Sequence, residues 1–314
     1  MPEAVSLREA YGKTLVEMGR ENPDIVVLDA DLSPSTMTHF FASEFPQRFF
    51  NCGIAEQNMV GIAAGLASAG KIPFASTFAV FAPGRSFDQI RMCLGYSQLN
   101  VKIVATHAGI SVGEDGASHQ SIEDLSLIGS IPGLTVIVPA DAIETTQAVR
   151  TAAATEGPFY IRLPRPKLPL VYKEDYRFKL GEAVTMRQGK DATIIAIGVM
   201  VSAALEAADN LKKQGTNCRV LNMPTLKPID EAAIIKAAEE TGAIVAAEDH
   251  LQHGGLGSEV AQVTARNHPV PIEFVAIKDT YAQSGKTGEL LQRYGLTAKD
   301  ITEAVGRVVG KKQG

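Results

Sequence analysis

Short runs of Val, Ile, Leu and Ala recur along the chain, separated by Ala-rich or amphipathic stretches with helical spacing. In the first half the runs fall at 25–30 (IVVLDA), 73–77 (PFAST), 101–107 (VKIVATH), 135–140 (TVIVPA) and 158–164 (PFYIRLP). The intervening pattern predicts helices over Leu7–Asn22, Gln57–Gly70, Ser86–Tyr96 and Ala142–Ala154. Uninterrupted aliphatic runs suit strands covered on both faces, so the pattern predicts a mainly parallel sheet in an α/β domain.

The pattern loosens after Pro169. The stretch from there to Asp191 is polar, lacks a helical period and reads as a linker with a short β element. A second α/β unit follows, with strands expected at 192–198, 218–224, 243–249 and 272–277. Its helices are expected near Ala203–Gln214, Glu231–Thr241 and Gly257–Asn267. The boundary is placed near residue 180, giving domains 1–180 and 181–314, with no internal repeat and no low-complexity tract. The length agrees: 314 residues, 45% of them hydrophobic, suffice for two domains of roughly 100–200 residues each.

Charge narrows the possible functions. A formal charge of −5 with scattered Lys and Arg argues against nucleic-acid binding. The N-terminal segment has no basic region followed by an apolar run, so no signal peptide is expected. No apolar stretch reaches the ~18 residues of a membrane span, so no membrane partner is expected. Cys52, Cys93 and Cys218 have no metal-ligand spacing; they read as buried small hydrophobes in a reducing, cytoplasmic setting.

Five segments carry candidate chemistry. In NCGIAEQNMVGIAAGLASAG (51–70), Glu56 opens a helix of small residues, with Gly61 and Gly65 on one face. Acidic residues favour a first helical turn for dipole reasons alone, but tight Ala/Gly packing predicts a buried start where an unpaired carboxylate is costly. In STFAVFAPGRSFDQ (76–89), Phe78 and Phe81 follow a strand, as core or as a ring-stacking pair. In ATHAGISVGEDGASHQ (105–120), His107, Glu114, Asp115 and His119 share a Gly-rich loop after a strand, where α/β sheets bind ligands. The bland alternative is a polar surface loop; its glycines predict close backbone approach to something. Arg162 and Arg165 in FYIRLPRPKLP suit phosphate or are ordinary surface charge. The turn in EDHLQHGGLGSEV (248–260) resembles an anion-binding helix start, without a nucleotide-binding pattern. His250 and His253 within it read as structural or surface residues.

Together these segments resemble transketolase. GIAEQ resembles its glutamate motif, STFAVF its aromatic pocket, HAGISVGEDGASHQ its active-site loop and IRLPRPKLP its substrate-phosphate segment; ADLSPST (30–36) resembles a further family segment. The resemblance spans essentially the whole chain but covers two of the family's three domains. The domain with the GDG…N motif has no counterpart, and GEDG (113–116) is not that motif. The resemblance is therefore closest to the C-terminal subunit of a split enzyme. It implies a pyrimidine-binding domain and a C-terminal domain, each with a mainly parallel sheet.

The resemblance further implies thiamine diphosphate as cofactor. Mg2+ and the diphosphate would be held by a partner N-terminal subunit, in an α2β2 heterotetramer inactive without both chains. Glu56 would bond the aminopyrimidine ring, as a buried carboxylate able to share a proton with a ring nitrogen. Phe78 and Phe81 would stack on the ring, and Asp31 would lie near it. His107 and Asp115 would bind sugar hydroxyls, His119 would stand at the reacting carbonyl, and Arg8, Ser35 and Arg165 would hold the sugar phosphate. The implied reaction is transfer of a two-carbon ketol unit from a ketose phosphate to an aldose phosphate. The alternative is another thiamine enzyme, a 2-oxoacid dehydrogenase β subunit or a deoxyxylulose-phosphate-synthase relative. A binding-only homologue would have no need for this residue set. Gln57 stands where many relatives have His, and Gly84 falls where some carry Tyr, which leaves Arg85 unassigned.

Overall fold

The computed structural model describes residues 4–312. Its strands, in chain order, are β1 (Ala4–Ser6), β2 (Ile25–Asp29), β3 (Phe49–Asn51), β4 (Ile72–Phe78), β5 (Lys102–Thr106), β6 (Thr135–Ile137) and β7 (Phe159–Arg162). They continue with β8 (Lys167–Pro169), β9 (Val184–Arg187), β10 (Ala192–Ala196), β11 (Cys218–Asn222), β12 (Thr225–Lys227), β13 (Ile244–Leu251) and β14 (Ile272–Ile277). A seven-stranded sheet has the order β12-β6-β7-β5-β4-β2-β3 and is parallel except for β12. A five-stranded sheet has the order β14-β13-β10-β11-β9 and is parallel except for β9. The two α/β units expected from the pattern are therefore present.

The long aliphatic runs became interior strands, except Ile272–Ile277, which forms the edge strand β14. Every residue of β2, β5 and β10 is buried, as strands covered by helices on both faces require. Lys102 is the charged exception in β5. Its ammonium donates to the Thr155 and Gly157 carbonyls, at 2.7 Å each, and lies 4.2 Å from the Phe159 ring centre. Burial pushes its pKa down to about 7.

Helix starts follow the side chains that can satisfy free N–H groups. Ser6 caps Leu7–Glu21, Asp141 caps Ala142–Ala154 and Asp230 caps Glu231–Thr241, which Gly242 closes in the left-handed region.

The structure departs from the pattern in particular places. The helix expected at Ser86–Tyr96 begins earlier, as Phe81–Gln89, and continues as a π-helical turn, Ile90–Tyr96. It kinks at Ser86 (φ −120°, ψ 29°), whose hydroxyl donates back to the Ala82 carbonyl at 2.5 Å. Short strands β1, β3, β8 and β12 had no aliphatic run to announce them. Through β12 the second half of the chain lends an edge strand to the first sheet. Two helices, Thr287–Arg293 and Ala298–Lys312, follow the last expected element.

The helix after Glu56 is not packed through its glycines. A Cβ at Gly61 or Gly65 would meet nothing within 4 Å, because that face is open. Of the three free cysteines only Cys218 is buried; Cys52 and Cys93 are half-buried. Among the described residues no helix is long and apolar enough to cross a membrane.

Candidate active site

In a parallel sheet the carboxyl ends of the strands share one edge, and ligands bind in the crevice outside it. The candidate residues follow those ends. Asp31 and Ser35 come after β2, Glu56 after β3, Phe78 and Phe81 at and after β4, His107 after β5 and Arg165 after β7. Residues far apart in sequence thus meet because their strands are neighbours.

Glu56 is the first residue of Glu56–Ser68, with its side chain 2% exposed. Its carboxylate is not unpaired. Arg85 Nη1 donates to both oxygens, at 2.9 and 3.0 Å, and Thr77 Oγ1 donates to Oε1 at 3.3 Å. The guanidinium compensates a charge that burial would otherwise leave costly. The Arg85 Cζ also lies 3.8 Å from the Phe81 ring centre.

An aromatic cluster continues from there. Phe78 and Phe81 stack with centroids 5.8 Å apart and planes at 15°. Phe78 also stacks on His107 at 3.9 Å, and both Phe rings meet the His119 imidazole edge-on, at 6.2 and 5.4 Å. Phe78 is buried, and Phe81 is half-buried.

His107 has φ +58° and Asp31 has φ +65°, a region that costs a non-glycine residue about 1–3 kcal/mol. Both lie just past strand ends at this edge. Thr106 Oγ1 and His107 Nδ1 are 2.9 Å apart. Burial, with Arg8, Arg165 and His119 adding repulsion, pushes the His107 pKa down to about 3. Its imidazole is neutral at physiological pH, able to donate from one nitrogen and accept at the other. Asp31 stands apart from the ring cluster: it is exposed, and its Oδ1 accepts from Asn51 at 2.9 Å.

Beyond His107 lies a cleft of about 270 Å³ lined by Arg8, Glu114, Arg165, Pro166, Lys286 and Thr287. Arg8 donates to the Ser35 carbonyl at 2.7 Å and to the Arg165 carbonyl at 3.0 Å, while its Nε is buried without a partner. Burial and then repulsion from Arg165 lower its pKa. Arg165 donates to the Val112 carbonyl at 2.7 Å and lies 3.8 Å from the Asp115 carboxylate. Cations held by carbonyl oxygens rather than matched carboxylates are suited to an incoming anion. Arg162, the other arginine of that segment, is buried away from the cleft. It donates to Asp124 at 2.9 Å and to the Ser121 and Asp249 carbonyls.

The glycines of the 105–120 loop do mark close approach, but to the second half of the chain. A Cβ at Gly109 would collide with the Asp249 carboxylate, and one at Gly116 with the Ser284 hydroxyl. Asp249, at the end region of β13, accepts from the Ile110 and Ser111 N–H groups at 3.0 and 3.2 Å. The turn at 253–257 is likewise filled from within: Glu248 accepts from the Leu256 and Gly257 N–H groups, both at 2.8 Å. His250 is fully buried and His253 exposed. Arg85 and Asp249 are the two partners that sequence reasoning missed. The only sequence signals for them were an unassigned arginine and an acid at the end of an expected strand.

Comparison with known proteins agrees with the two α/β domains. Residues 3–171 match the family described as the transketolase pyrimidine-binding domain, and residues 181–301 match the transketolase C-terminal domain. A putative transketolase C-terminal section of Methanocaldococcus jannaschii is 48% identical over 95% of both chains. A 6-deoxy-6-sulfo-D-fructose transketolase subunit of a Clostridium species is 42% identical, over 98% of this chain and 95% of its own. A solved structure described as a split gene transketolase, an inactive β4 tetramer, is 53% identical with TM-score 0.92, over 98% of this chain and 99% of that one. The chain belongs to the transketolase family and comprises that family's pyrimidine-binding and C-terminal domains.

Proposed function

We propose that this chain is one subunit of a two-chain, thiamine-diphosphate-dependent transketolase that moves a two-carbon ketol unit between phosphorylated sugars. The observation that carries this reading is the unbroken line of contacts from Glu56 through Arg85, Phe81 and Phe78 to His107, with the arginine cleft beyond. It juxtaposes a buried carboxylate, aromatic faces and an anion pocket at one sheet edge.

The residues fit an aminopyrimidine at one end and a sugar phosphate at the other. Glu56 would bond a ring nitrogen and hold the proton there, with Phe78 and Phe81 supplying the apolar wall and Asp31 at the rim. Thiamine diphosphate, held there, would supply the electron sink for breaking a carbon–carbon bond of the ketose. Neutral His107 would bond a sugar hydroxyl, with Asp115 beside it and His119 facing the carbonyl. Arg8, Ser35 and Arg165 would hold the terminal phosphate.

Mg2+ and the diphosphate are assigned to a partner N-terminal subunit in an α2β2 assembly. The open Gly61–Gly65 face supports this, as do two exposed apolar side chains: Ile54, just before that helix, is 75% exposed, and Tyr96, at the end of the π-helical turn that packs beside it, is 81% exposed. The solved relative described as an inactive tetramer of β chains alone is in keeping with an incomplete site.

The test mixes this chain with its partner subunit, thiamine diphosphate and Mg2+, and measures ketol transfer from xylulose 5-phosphate. Activity requiring both chains is expected. Full activity in Glu56→Ala would sink the reading, and turnover of pyruvate instead would move the chain to a different thiamine reaction.

A further inference from the structure

The C-terminal domain reaches the substrate cleft through the segment between β14 and the helix Thr287–Arg293. This segment is held against the 105–120 loop at several points. Thr287 Oγ1 donates to the Ser111 carbonyl at 3.0 Å, and Gln120 Nε2 donates to the Gln283 carbonyl at 3.1 Å. At Gly113 the fit is tight: φ is +87°, and a Cβ would lie 3.1 Å from Thr287 Oγ1 and 3.3 Å from the Gly285 carbonyl. Lys286, between these anchors, is therefore delivered to the cleft by fixed backbone. It lines the same cavity as Arg8 and Arg165, opposed by one carboxylate, Glu114.

We infer that Lys286 is a substrate-binding residue that completes the anion site and favours a terminal phosphate over a terminal sulfonate. The inference rests on the sugar-phosphate reading above. Its logic is charge. Arg8 is fixed by two carbonyls, which hold it without matching its charge, and its Nε is buried without a partner. Arg165 is partly drawn toward Asp115. A phosphate monoester carries about −1.5 to −2 near neutral pH, whereas a sulfonate carries a single charge, so a third cation rewards the phosphate more. The ammonium, a mobile point charge on a flexible stem, suits the open mouth of the cleft, while the two guanidinium forks suit its floor.

The test uses the assembled two-chain enzyme with Lys286→Met, which alters an exposed side chain and leaves the fold anchors intact. With a phosphorylated aldose acceptor, KM is expected to rise about 5–20-fold with little change in kcat, as for loss of one charge-assisted contact. With glycolaldehyde, which has no phosphate, KM should not move, and Lys286→Arg should recover most of the loss. The rise with a sulfonated sugar should be smaller than with its phosphate counterpart. Equal change for all acceptors, or none, overturns the inference. Inorganic phosphate binding to the same complexes, by calorimetry, separates it from the broader reading. If ketol transfer is absent but phosphate binding weakens in Lys286→Met, the site stands and the reaction assignment falls. Phosphate binding that ignores the substitution refutes the site whatever the reaction.

Discussion

The pairing of Glu56 with Arg85 makes a quantitative prediction. The pair joins a carboxylate 2% exposed to a guanidinium 44% exposed. Breaking a fully buried pair costs about 3–5 kcal/mol, whereas an exposed pair is worth roughly 0–1 kcal/mol. The half-exposed arginine places this pair between those limits, at about 2 kcal/mol. Arg85 also lies over Phe81, which adds about 0.5–1 kcal/mol that does not depend on Glu56. Arg85→Ala should therefore destabilise the chain by about 2.5–3 kcal/mol in the native background. In a Glu56→Ala background only the ring contact is lost, so the cost should fall to about 0.5–1 kcal/mol. A double-mutant cycle read by urea unfolding, with far-UV circular dichroism as the signal, measures the difference directly. A coupling of about 2 kcal/mol is expected. Equal costs in the two backgrounds would show that Arg85 does not compensate the buried charge, and the electrostatic account of Glu56 would be wrong.

Three further outcomes follow from the polar groups that join the two halves of the chain. Asp249→Ala removes two charge-assisted bonds to the Ile110 and Ser111 N–H groups, so amide exchange across 108–121 should speed up while exchange in β2 and β10 stays slow; uniform protection would refute the anchoring role. Gly109→Ala should destabilise more than an ordinary Gly→Ala change, because φ is +75° and the new Cβ meets Asp249; a melting temperature within error of the native value would contradict this. Glu144, buried among Tyr176, Asn222 and the Ala140 N–H, has its pKa pushed up to about 7 by burial. The folded chain therefore holds this proton more tightly than the unfolded one, and stability should fall as pH rises from about 4.5 to 7, by at most about 3 kcal/mol. That fall should be missing from the stability–pH curve of Glu144→Gln, and a variant curve that keeps it would show that the carboxyl is not the source.

What could be read from the sequence, and what could not, divides along the range of the signal. Periodicity is local, so it found β2, β4, β5, β7 and the central strands of the second sheet, and it found most of the longer helices, though not Ala298–Lys312 with its stripe of Ile301, Ala304, Val305 and Val308. It missed β12, whose placement depends on pairing with β6 nearly ninety positions earlier in the chain. The same limit applies at the site. Glu56, Phe78, His107 and Arg165 each lie close to a strand end, and motifs announce them one at a time. Arg85 reaches Glu56 only through a helix that starts before its expected position and kinks at Ser86, a distortion the apolar pattern does not encode. The glycines of the 105–120 loop were legible as close approach, yet the approaching group was open to misreading. A ligand and a second domain impose the same demand, backbone without a Cβ. Only the structure separates them, by showing Asp249, Ser284 and Thr287 against Gly109, Gly116 and Gly113. The consequence reaches the proposed chemistry: the loop bearing His107, Asp115 and His119 is anchored by the C-terminal domain, so on that reading substitutions at the anchor Asp249 should change substrate affinity although Asp249 lines no part of the cleft.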